Sequence, residues 1–372
     1  MKEQINKIID VNVAHSYQIT IAHNSSNIGG VLKKFIKNNA VIIHDSNIPL
    51  QSIEQIEQSF VKNGIEFSKI KLEKTGESIK TFEHFREISE RLIEMNVNRK
   101  TTLVAIGGGT VGDFVGFVAS TFMRGIPFIQ VPTTLLSMVD SSVGGKVAIN
   151  LGHYKNCIGA FFQPKHVFID VSLLKTLPAI ELVSGYAEVL KYGFIADCKF
   201  YQYLLENAGI FTAFLENRNF TDEALEYLMQ IIGKSCEIKA SIVSQDETET
   251  KGIRDVLNFG HTFGHAFEGI FMGKLPHGIA VGIGMICALK YSKISVDTIL
   301  KHYEQIGLLS NIKQFCEKNS EKIPTVEEIL SLMLKDKKNE WGSIKLILLE
   351  EIGKAFVREE KAENISAFLS QI

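Results

Sequence analysis

Residues 101–164 read TTLVAIGGGTVGDFVGFVASTFMRGIPFIQVPTTLLSMVDSSVGGKVAINLGHYKNCIGAFFQP, and this stretch decides the fold. Thr102 to Ile106 is an apolar run short enough for a buried parallel strand. Gly107, Gly108 and Gly109 follow at once, and Thr110 to Phe122 is apolar with helical spacing. A strand, a glycine turn and a helix present free backbone N–H groups to a phosphate. Gly108 and Gly109 lack a Cβ, so a pyrophosphate can approach the backbone closely. Asp113 falls in the first helical turn, where the helix dipole favours a carboxylate and a cofactor hydroxyl is a natural partner. Taken alone, the turn is equally an ordinary βα connection, because GGGxxGD is not the GxGxxG fingerprint.

The remainder of the stretch adds chemistry. A second apolar strand, Pro127 to Val131, leads into Pro132, Thr133 and Thr134. Asp140 to Lys146 then packs a carboxylate, two hydroxyls, two glycines and an amine together, and Lys155, Asn156 and Gln163 follow. Such a mixture suits anionic oxygens: lysine as a point charge, glycine for close approach, Ser and Thr as neutral donors.

On the N-terminal side, residues 8–21 read as one or two edge strands and Ile28 to Lys37 as a helix. Asn39 to Ile43 is a strand ending in His44, Asp45, Ser46 and Asn47. Polar residues at the carboxyl end of a parallel strand are where open α/β sheets bind ligands, although a capped turn is the alternative. Ile53 to Asn63 is an amphipathic helix, Phe67 to Leu72 a strand, and 81–96 a further helix. Val167 to Asp170 completes the alternation, which predicts an α/β nucleotide-binding domain with a parallel sheet over residues 1–178. Beyond Leu177-Pro178 the pattern turns helical: 179–196, 198–207, 221–244, 259–272, 277–293, 298–306 and 325–335, with Ile344 to Leu349 the one strand. Residues 179–372 are therefore expected to form a mainly α-helical domain, and a cleft between the halves is the expected active site. The tail from Val357 to Ile372 reads as a short helix without a role in turnover.

Composition narrows the class. The 372 residues are 45% apolar and 22% charged, as in globular proteins with a sizeable core. A net charge of -2 gives no support for a nucleic-acid or membrane partner. The N-terminus has no apolar signal core, and no run approaches the ~18 apolar residues of a membrane helix. Five cysteines without a CxxC pair point to reduced thiols in a cytoplasm.

Three helical segments of the second half carry metal-ligand chemistry. Glu188 sits on an apolar helix with Lys191 one turn later. His261 and His265 are four apart, on one face if that segment is helical. His277 precedes a glycine-rich apolar helix. A buried Glu–Lys pair and a capping histidine are the bland alternatives. A carboxylate with two or more histidines suits Zn²⁺ with an open position for substrate, and Co²⁺ or Fe²⁺ fits the same donors. Arg254 and Asn258 are also four apart and can meet one anionic ligand.

The segments GGGTVGD, RGIPFIQVPTTLLSMVDSSVGGK, KNCIGAFFQP, YAEVLKYG and NFGHTFGHAFE together resemble the 3-dehydroquinate synthase family of sugar-phosphate cyclases, from about Asp45 to about Ala355. The resemblance implies a shikimate-pathway lyase of aromatic amino-acid biosynthesis. Such an enzyme converts 3-deoxy-D-arabino-heptulosonate 7-phosphate to 3-dehydroquinate and phosphate. It does so by transient oxidation with bound NAD, elimination, reduction and intramolecular aldol closure. Zn²⁺ or Co²⁺ is the implied metal, with Glu188, His261 and His277 as ligands. The implied NAD contacts are Asp45, Asn47, Glu77, Lys80, Gly108, Gly109, Thr110, Val111, Gly112, Asp113, Thr133, Thr134, Lys146, Lys155, Asn156, Leu173 and Thr176. Asp140, Lys146, Lys191, Lys239, Arg254, Asn258, His265 and Lys337 are implied to handle substrate, with Arg124 a further anion contact reaching a neighbouring subunit of a homodimer. Two positions depart from the family pattern. Thr75 stands where an aspartate is usual, which removes one cofactor contact. Ile279 stands where HGE has its carboxylate, which removes support from the His277 ligand. The alternatives are a cyclase for another sugar phosphate, and a metal-dependent polyol dehydrogenase of similar two-domain layout.

Overall fold

The computed structural model describes residues 7–152, 154–334 and 343–371. In chain order the first elements are β1 (Lys7–Val11), β2 (Tyr17–Ala22), α1 (Ile28–Leu32), β3 (Asn39–Asp45), α2 (Leu50–Lys62), β4 (Glu66–Leu72), α3 (Phe82–Glu94), β5 (Thr102–Gly107), α4 (Gly109–Thr121), β6 (Phe128–Pro132), β7 (Lys146–Leu151), β8 (Tyr154–Phe161) and β9 (His166–Asp170). Then come α5 (Ala179–Ala196), α6 (Cys198–Glu206), α7 (Ala208–Asn217), α8 (Asp222–Gln245), α9 (His261–Ile270), α10 (His277–Tyr291), α11 (Asp297–Ile306), α12 (Ile312–Asn319), α13 (Val326–Leu334), β10 (Ser343–Glu351), β11 (Lys354–Lys361) and α14 (Ala362–Leu369).

Two compact units result. One is Met1–Leu177 with Asn219–Thr248; the other is Pro178–Arg218 with Glu249–Ile372. The division at residue 178 is thus interrupted: α8, read from sequence as part of the helical half, belongs to the first unit. Its Cys236 thiol donates to the Met138 carbonyl and its Lys239 ammonium to that of Asp140. These buried groups bind it to the α/β core.

In the first unit the strand order is β1-β2-β9-β6-β5-β3-β4, with β1 antiparallel to β2 and the other pairs parallel. Central strand β5 is buried along its whole length, which is why its sequence is continuously apolar rather than alternating. The period of two still sorts its two faces. Val41, Ile43, Leu103 and Ala105 pack with α3 and α4 through Ile88, Leu92, Phe114 and Val118. Ala40, Ile42, Val104 and Ile106 pack with α1 and α2 through Ile28, Leu32, Ile53 and Phe60. The chain passes from β3 outward to β4, then returns to β5 and runs the other way to β6. The carboxyl ends of β3 and β5 therefore flank the topological switch point, the ligand crevice of such sheets.

Three local readings are corrected. The helix predicted over 28–37 is regular only over Ile28–Leu32, because Gly29 and Gly30 weaken it, Gly29 also admitting a close approach to Ser59 of α2. Residues 146–161, not read as strand from the sequence, form the ribbon β7–β8, with Val147 lying against Gly116 of α4. In the second unit β10 pairs antiparallel with β11, so the tail is a strand through Lys361 and helical only from Ala362. Among the described residues, no helix is long and apolar enough to cross a membrane.

Candidate active site

At the carboxyl end of β5, Gly108 opens α4 in extended conformation and no side chain caps the helix. The N–H groups of Val111 and Gly112 turn back to the Gly108 carbonyl at 3.1 Å. Ser141 Oγ lies over this turn: a Cβ on Gly109 would stand 2.6 Å from it. That hydroxyl is buried and has no hydrogen-bond partner among the described residues. An uncapped helix start beside an orphaned donor fits the oxygens of a dinucleotide pyrophosphate. Across the switch point, Asp45 Oδ1 accepts the Asn47 N–H at 2.8 Å, the capped turn that was the alternative reading there. Thr133 donates its N–H to the Gly107 carbonyl at 2.9 Å. Thr134 and Ser137 exchange two backbone-to-hydroxyl bonds of 3.1 Å, so the Thr134 hydroxyl serves a local turn. Leu173 is buried in the turn Val171–Thr176.

Lys80 is 1% exposed. Its ammonium donates to Asp113 Oδ2 at 2.7 Å and to Asn156 Oδ1. Asp113, read as a possible partner of a cofactor hydroxyl, has its Oδ2 engaged by this buried cation. Burial raises the Asp113 carboxyl above its ordinary value against the opposing pull of Lys80. Asn150, which sequence reasoning missed, joins this group. Its Nδ2 donates to Glu77 Oε2 at 2.8 Å, its Oδ1 accepts the Asn156 N–H at 2.9 Å, and its own N–H donates to the Lys80 carbonyl at 2.8 Å. Asn156 is left-handed (φ 53°), a conformation asparagine tolerates. No spacing in the sequence announces Asn150, because two of its three partners, Glu77 and Lys80, lie about seventy residues away in one turn. Thr75 precedes the turn Gly76–Ile79 without a side-chain capping bond.

In the same unit, Asp140 lies on a π-type turn, Ser137–Ser141, a distortion frequent at functional sites. Lys239 of α8 pairs with Asp140 Oδ1 at 3.0 Å. Lys146 and Lys155 are exposed on the β7–β8 ribbon, and Arg124 is exposed in a left-handed turn with φ 69°.

The second unit builds a compact histidine–carboxylate cluster from three helices. Glu188 of α5 is fully buried. Its Oε2 is 2.5 Å from Lys191 Nζ, and its Oε1 is 3.6 Å from His261 Nε2 and 3.5 Å from His277 Nε2. In a tetrahedral zinc shell with bonds near 2.05 Å, ligand atoms are separated by roughly 3.3 Å. The Glu188, His261 and His277 atoms thus stand close to the spacing of a metal shell. His265 joins them: a nitrogen from each of His261, His265 and His277 lies within 4.8 Å of the others. His265 is exposed, its ring 5.2 Å from that of His261. His261 Nδ1 donates to the Phe259 carbonyl at 3.1 Å, which leaves Nε2 with its lone pair. Burial holds His261 well below its ordinary pKa against the pull of Glu188, so this imidazole is neutral. For His277, burial acts downward but hydrogen bonds to Glu188 and Glu268 prevail and raise it to about 10. One cation between two carboxylates is favoured there, and a divalent metal meets the same demand. Glu268, also missed from sequence, accepts from His277 Nδ1 at 3.0 Å. Its signal was present: 261, 265 and 268 follow helical spacing on α9. Ile279, by contrast, is 1% exposed in the core of α10.

Arg254 and Asn258 do not share a face. Their segment, Ile253–Asn258, is a 3₁₀ turn of three residues per turn, so a four-residue spacing diverges. Arg254 is 2% exposed and its Nε is 3.5 Å from Glu249, while Asn258 Nδ2 donates to the Asp255 carbonyl at 3.2 Å. Lys337 lies outside the described residues.

The sequence matches the 3-dehydroquinate synthase N-terminal family over residues 70–184 and the 3-dehydroquinate synthase C-terminal family over 185–339. The chain belongs to the 3-dehydroquinate synthase family. The 3-dehydroquinate synthase of Zymomonas mobilis is 38% identical over 99% of this chain and 97% of its own. That of Pseudoalteromonas translucida is 43% identical over 89% of each. A solved structure of 2-epi-5-epi-valiolone synthase from Streptomyces hygroscopicus, with NAD⁺ and Zn²⁺ bound, shares the fold at a TM-score of 0.82 and 23% identity, covering 95% of this chain and 96% of that one. Membership in the 3-dehydroquinate synthase family accounts for an uncapped phosphate-type turn and a histidine–carboxylate cluster in one chain.

Proposed function

We propose that this protein converts 3-deoxy-D-arabino-heptulosonate 7-phosphate to 3-dehydroquinate and phosphate, using NAD and Zn²⁺ or Co²⁺, in the shikimate pathway. The observation that carries the reading is the convergence of Glu188, His261 and His277 from three helices at near-ligand spacing, in a chain of this family. When bound, NAD accepts and returns a hydride while the divalent metal polarises the reacting carbinol oxygen.

The chain's own residues do the rest. Residues 1–178 hold the dinucleotide: the α4 start and Ser141 take the pyrophosphate, and the network of Glu77, Lys80, Asp113, Asn150 and Asn156 orients the remainder. Asp45, Asn47, Thr133, Thr134, Lys155, Leu173 and Thr176 line the same cofactor. The second unit, Pro178–Arg218 with Glu249–Ile372, holds the metal, while substrate-handling Lys239 comes from α8 in the first unit. Lys191 fixes Glu188 by its Oε2, which leaves Oε1 for the metal. Lys146, Lys239, Arg254, Asn258 and Lys337 hold the substrate carboxylate and phosphate as charge partners and donors. Arg124 reaches the neighbouring subunit of a homodimer in the cytoplasm. Asp140 keeps the Lys239 ammonium in place. His265 faces the phosphate side. The substrate's own phosphate removes the proton for its elimination, so no dedicated protein base is required. Holding an open-chain intermediate in the right conformation supplies much of the rate of the intramolecular closure.

The test is phosphate release from the heptulosonate phosphate with catalytic NAD and added metal, followed at 340 nm. Stoichiometric phosphate without lasting NADH supports the reading. Steady NADH from polyols without phosphate sinks it in favour of a dehydrogenase. Phosphate released only from a hexose or heptulose phosphate lacking a carboxylate transfers it to another cyclase, the second reading favoured by the shared valiolone synthase fold.

A further inference from the structure

We infer that Glu268 is the positioning residue of the His277 metal ligand. The inference rests on the metal-site reading above. A ligating imidazole must present one nitrogen with its lone pair, and the other nitrogen's hydrogen bond decides which one that is. Glu268 Oε2 stands 3.0 Å from His277 Nδ1. A carboxylate only accepts, so Nδ1 carries the proton. Nε2 is thereby the ligating atom, and it is the nitrogen 3.5 Å from Glu188 Oε1. His261 follows the same logic with a neutral acceptor, the Phe259 carbonyl at its Nδ1. The two histidines thus aim Nε2 at one point, one held by backbone and one by a charged side chain.

The side chain at position 279 offers no hydrogen-bond acceptor for this task. Ile279 is 1% exposed, two residues into α10, and its side chain belongs to the apolar interior. Glu268 comes from the last turn of α9, seven residues after His261 on the same face. Its side chain is 15% exposed, buried enough to strengthen a charge-assisted bond. Helices α9 and α10 are held at fixed distance by backbone contacts: a Cβ on Gly284 would stand 2.1 Å from the Gly260 carbonyl oxygen. The Glu268–His277 bond therefore spans two rigid elements rather than a mobile loop.

The test uses the full-length protein loaded with Co²⁺, whose visible d–d band reports the ligand shell, titrated with a competing chelator. The variants are Glu268→Ala and Glu268→Met, which remove the acceptor, Glu268→Gln, which keeps a neutral one, and His277→Ala as the reference. Loss of a bond of this kind weakens metal binding about 10–100-fold. The Ala and Met variants are expected to show that loss with an altered d–d band, and Gln to lose less than about tenfold, with NAD affinity unchanged throughout. Glu268 is overturned alone if His277→Ala abolishes Co²⁺ binding while Glu268→Ala or Glu268→Met binds as the parent does, or if Gln is as weak as they are. If His277→Ala binds Co²⁺ like the parent, the metal-site reading fails and the Glu268 role with it.

Discussion

Gly278 lies against Ser184 so closely that a Cβ at Gly278 would stand 1.9 Å from the Ser184 carbonyl oxygen, while its N–H donates to Ser184 Oγ at 3.0 Å. His277 and Glu188 are the neighbours of this contact, one residue before it on α10 and one helical turn after it on α5. The approach of two backbones thus sets the distance between two proposed metal ligands. Gly278→Ala is expected to cost about 3 kcal/mol or more, because the atom it meets is backbone and cannot rotate away. Urea denaturation of the metal-free protein measures that cost. A variant with parental stability would show that α5 and α10 are not packed this tightly.

Lys80 and Asp113 form a pair in which the lysine is almost wholly enclosed. Asp113→Asn leaves that ammonium buried without its carboxylate, which is expected to cost about 3 kcal/mol and to weaken NAD binding. A double variant, Lys80→Met with Asp113→Leu, should recover most of the stability and none of the NAD affinity. Calorimetric NAD titration beside denaturation curves separates the two effects; recovered NAD affinity in the double variant would refute a cofactor role for the pair.

Asn150 makes three bonds that hold Glu77, Lys80 and Asn156 in register. Asn150→Ala should lower stability by less than about 1 kcal/mol, since the two side-chain bonds it loses go to exposed Glu77 and Asn156 and its backbone bond to Lys80 remains. Its larger effect should be on NAD, with a dissociation constant raised about tenfold, the equivalent of 1.4 kcal/mol. Metal affinity should stay at the parental value, because the Glu188 cluster is built in the other unit. Equal weakening of NAD and metal would mean general unfolding instead.

Burial lowers His166 to about 3 and His302 to about 4. Between pH 6.5 and those values the unfolded chain binds protons that the folded chain does not. Stability is therefore complete above pH 6.5 and falls as the solution is acidified, by at most about 1.4 kcal/mol per pH unit for each histidine. His302 meets Tyr186 and Tyr201 by its ring, and neither of its nitrogens has a hydrogen-bond partner among the described residues. His302→Phe should thus keep its packing and flatten the acid slope between pH 6.5 and 4.5. An unchanged slope would mean that His302 takes up its proton within the native state.

The elements most readily anticipated were those whose burial is periodic. The run Thr102 to Ile106, the Gly108 turn and α4 were predicted within a residue or two, since a strand buried on both faces must be continuously apolar. The paired histidines of α9 were equally legible, because a four-residue spacing on a helix has one geometric meaning. The ribbon β7–β8 and strand β11 were not, since two-stranded ribbons draw their stability from a partner distant in sequence and from packing beneath them. The Arg254–Asn258 pairing failed for the opposite reason: spacing has no fixed meaning until the helix type is known.

Residue identities alone settled which groups are available: phosphate-turn glycines, a carboxylate with three histidines, and the lysines and arginine for anions. Local periodicity settled the strands and helices that carry them. Tertiary packing decided the partnerships. Asn150 tying Glu77 to Asn156, α8 joining the first unit through Lys239, and Glu268 reaching His277 are all contacts between segments far apart in the chain or on different helices. A hydrogen bond depends on tenths of an ångström and on direction, and those are set by how close two backbones come, as Gly278 and Ser184 do here.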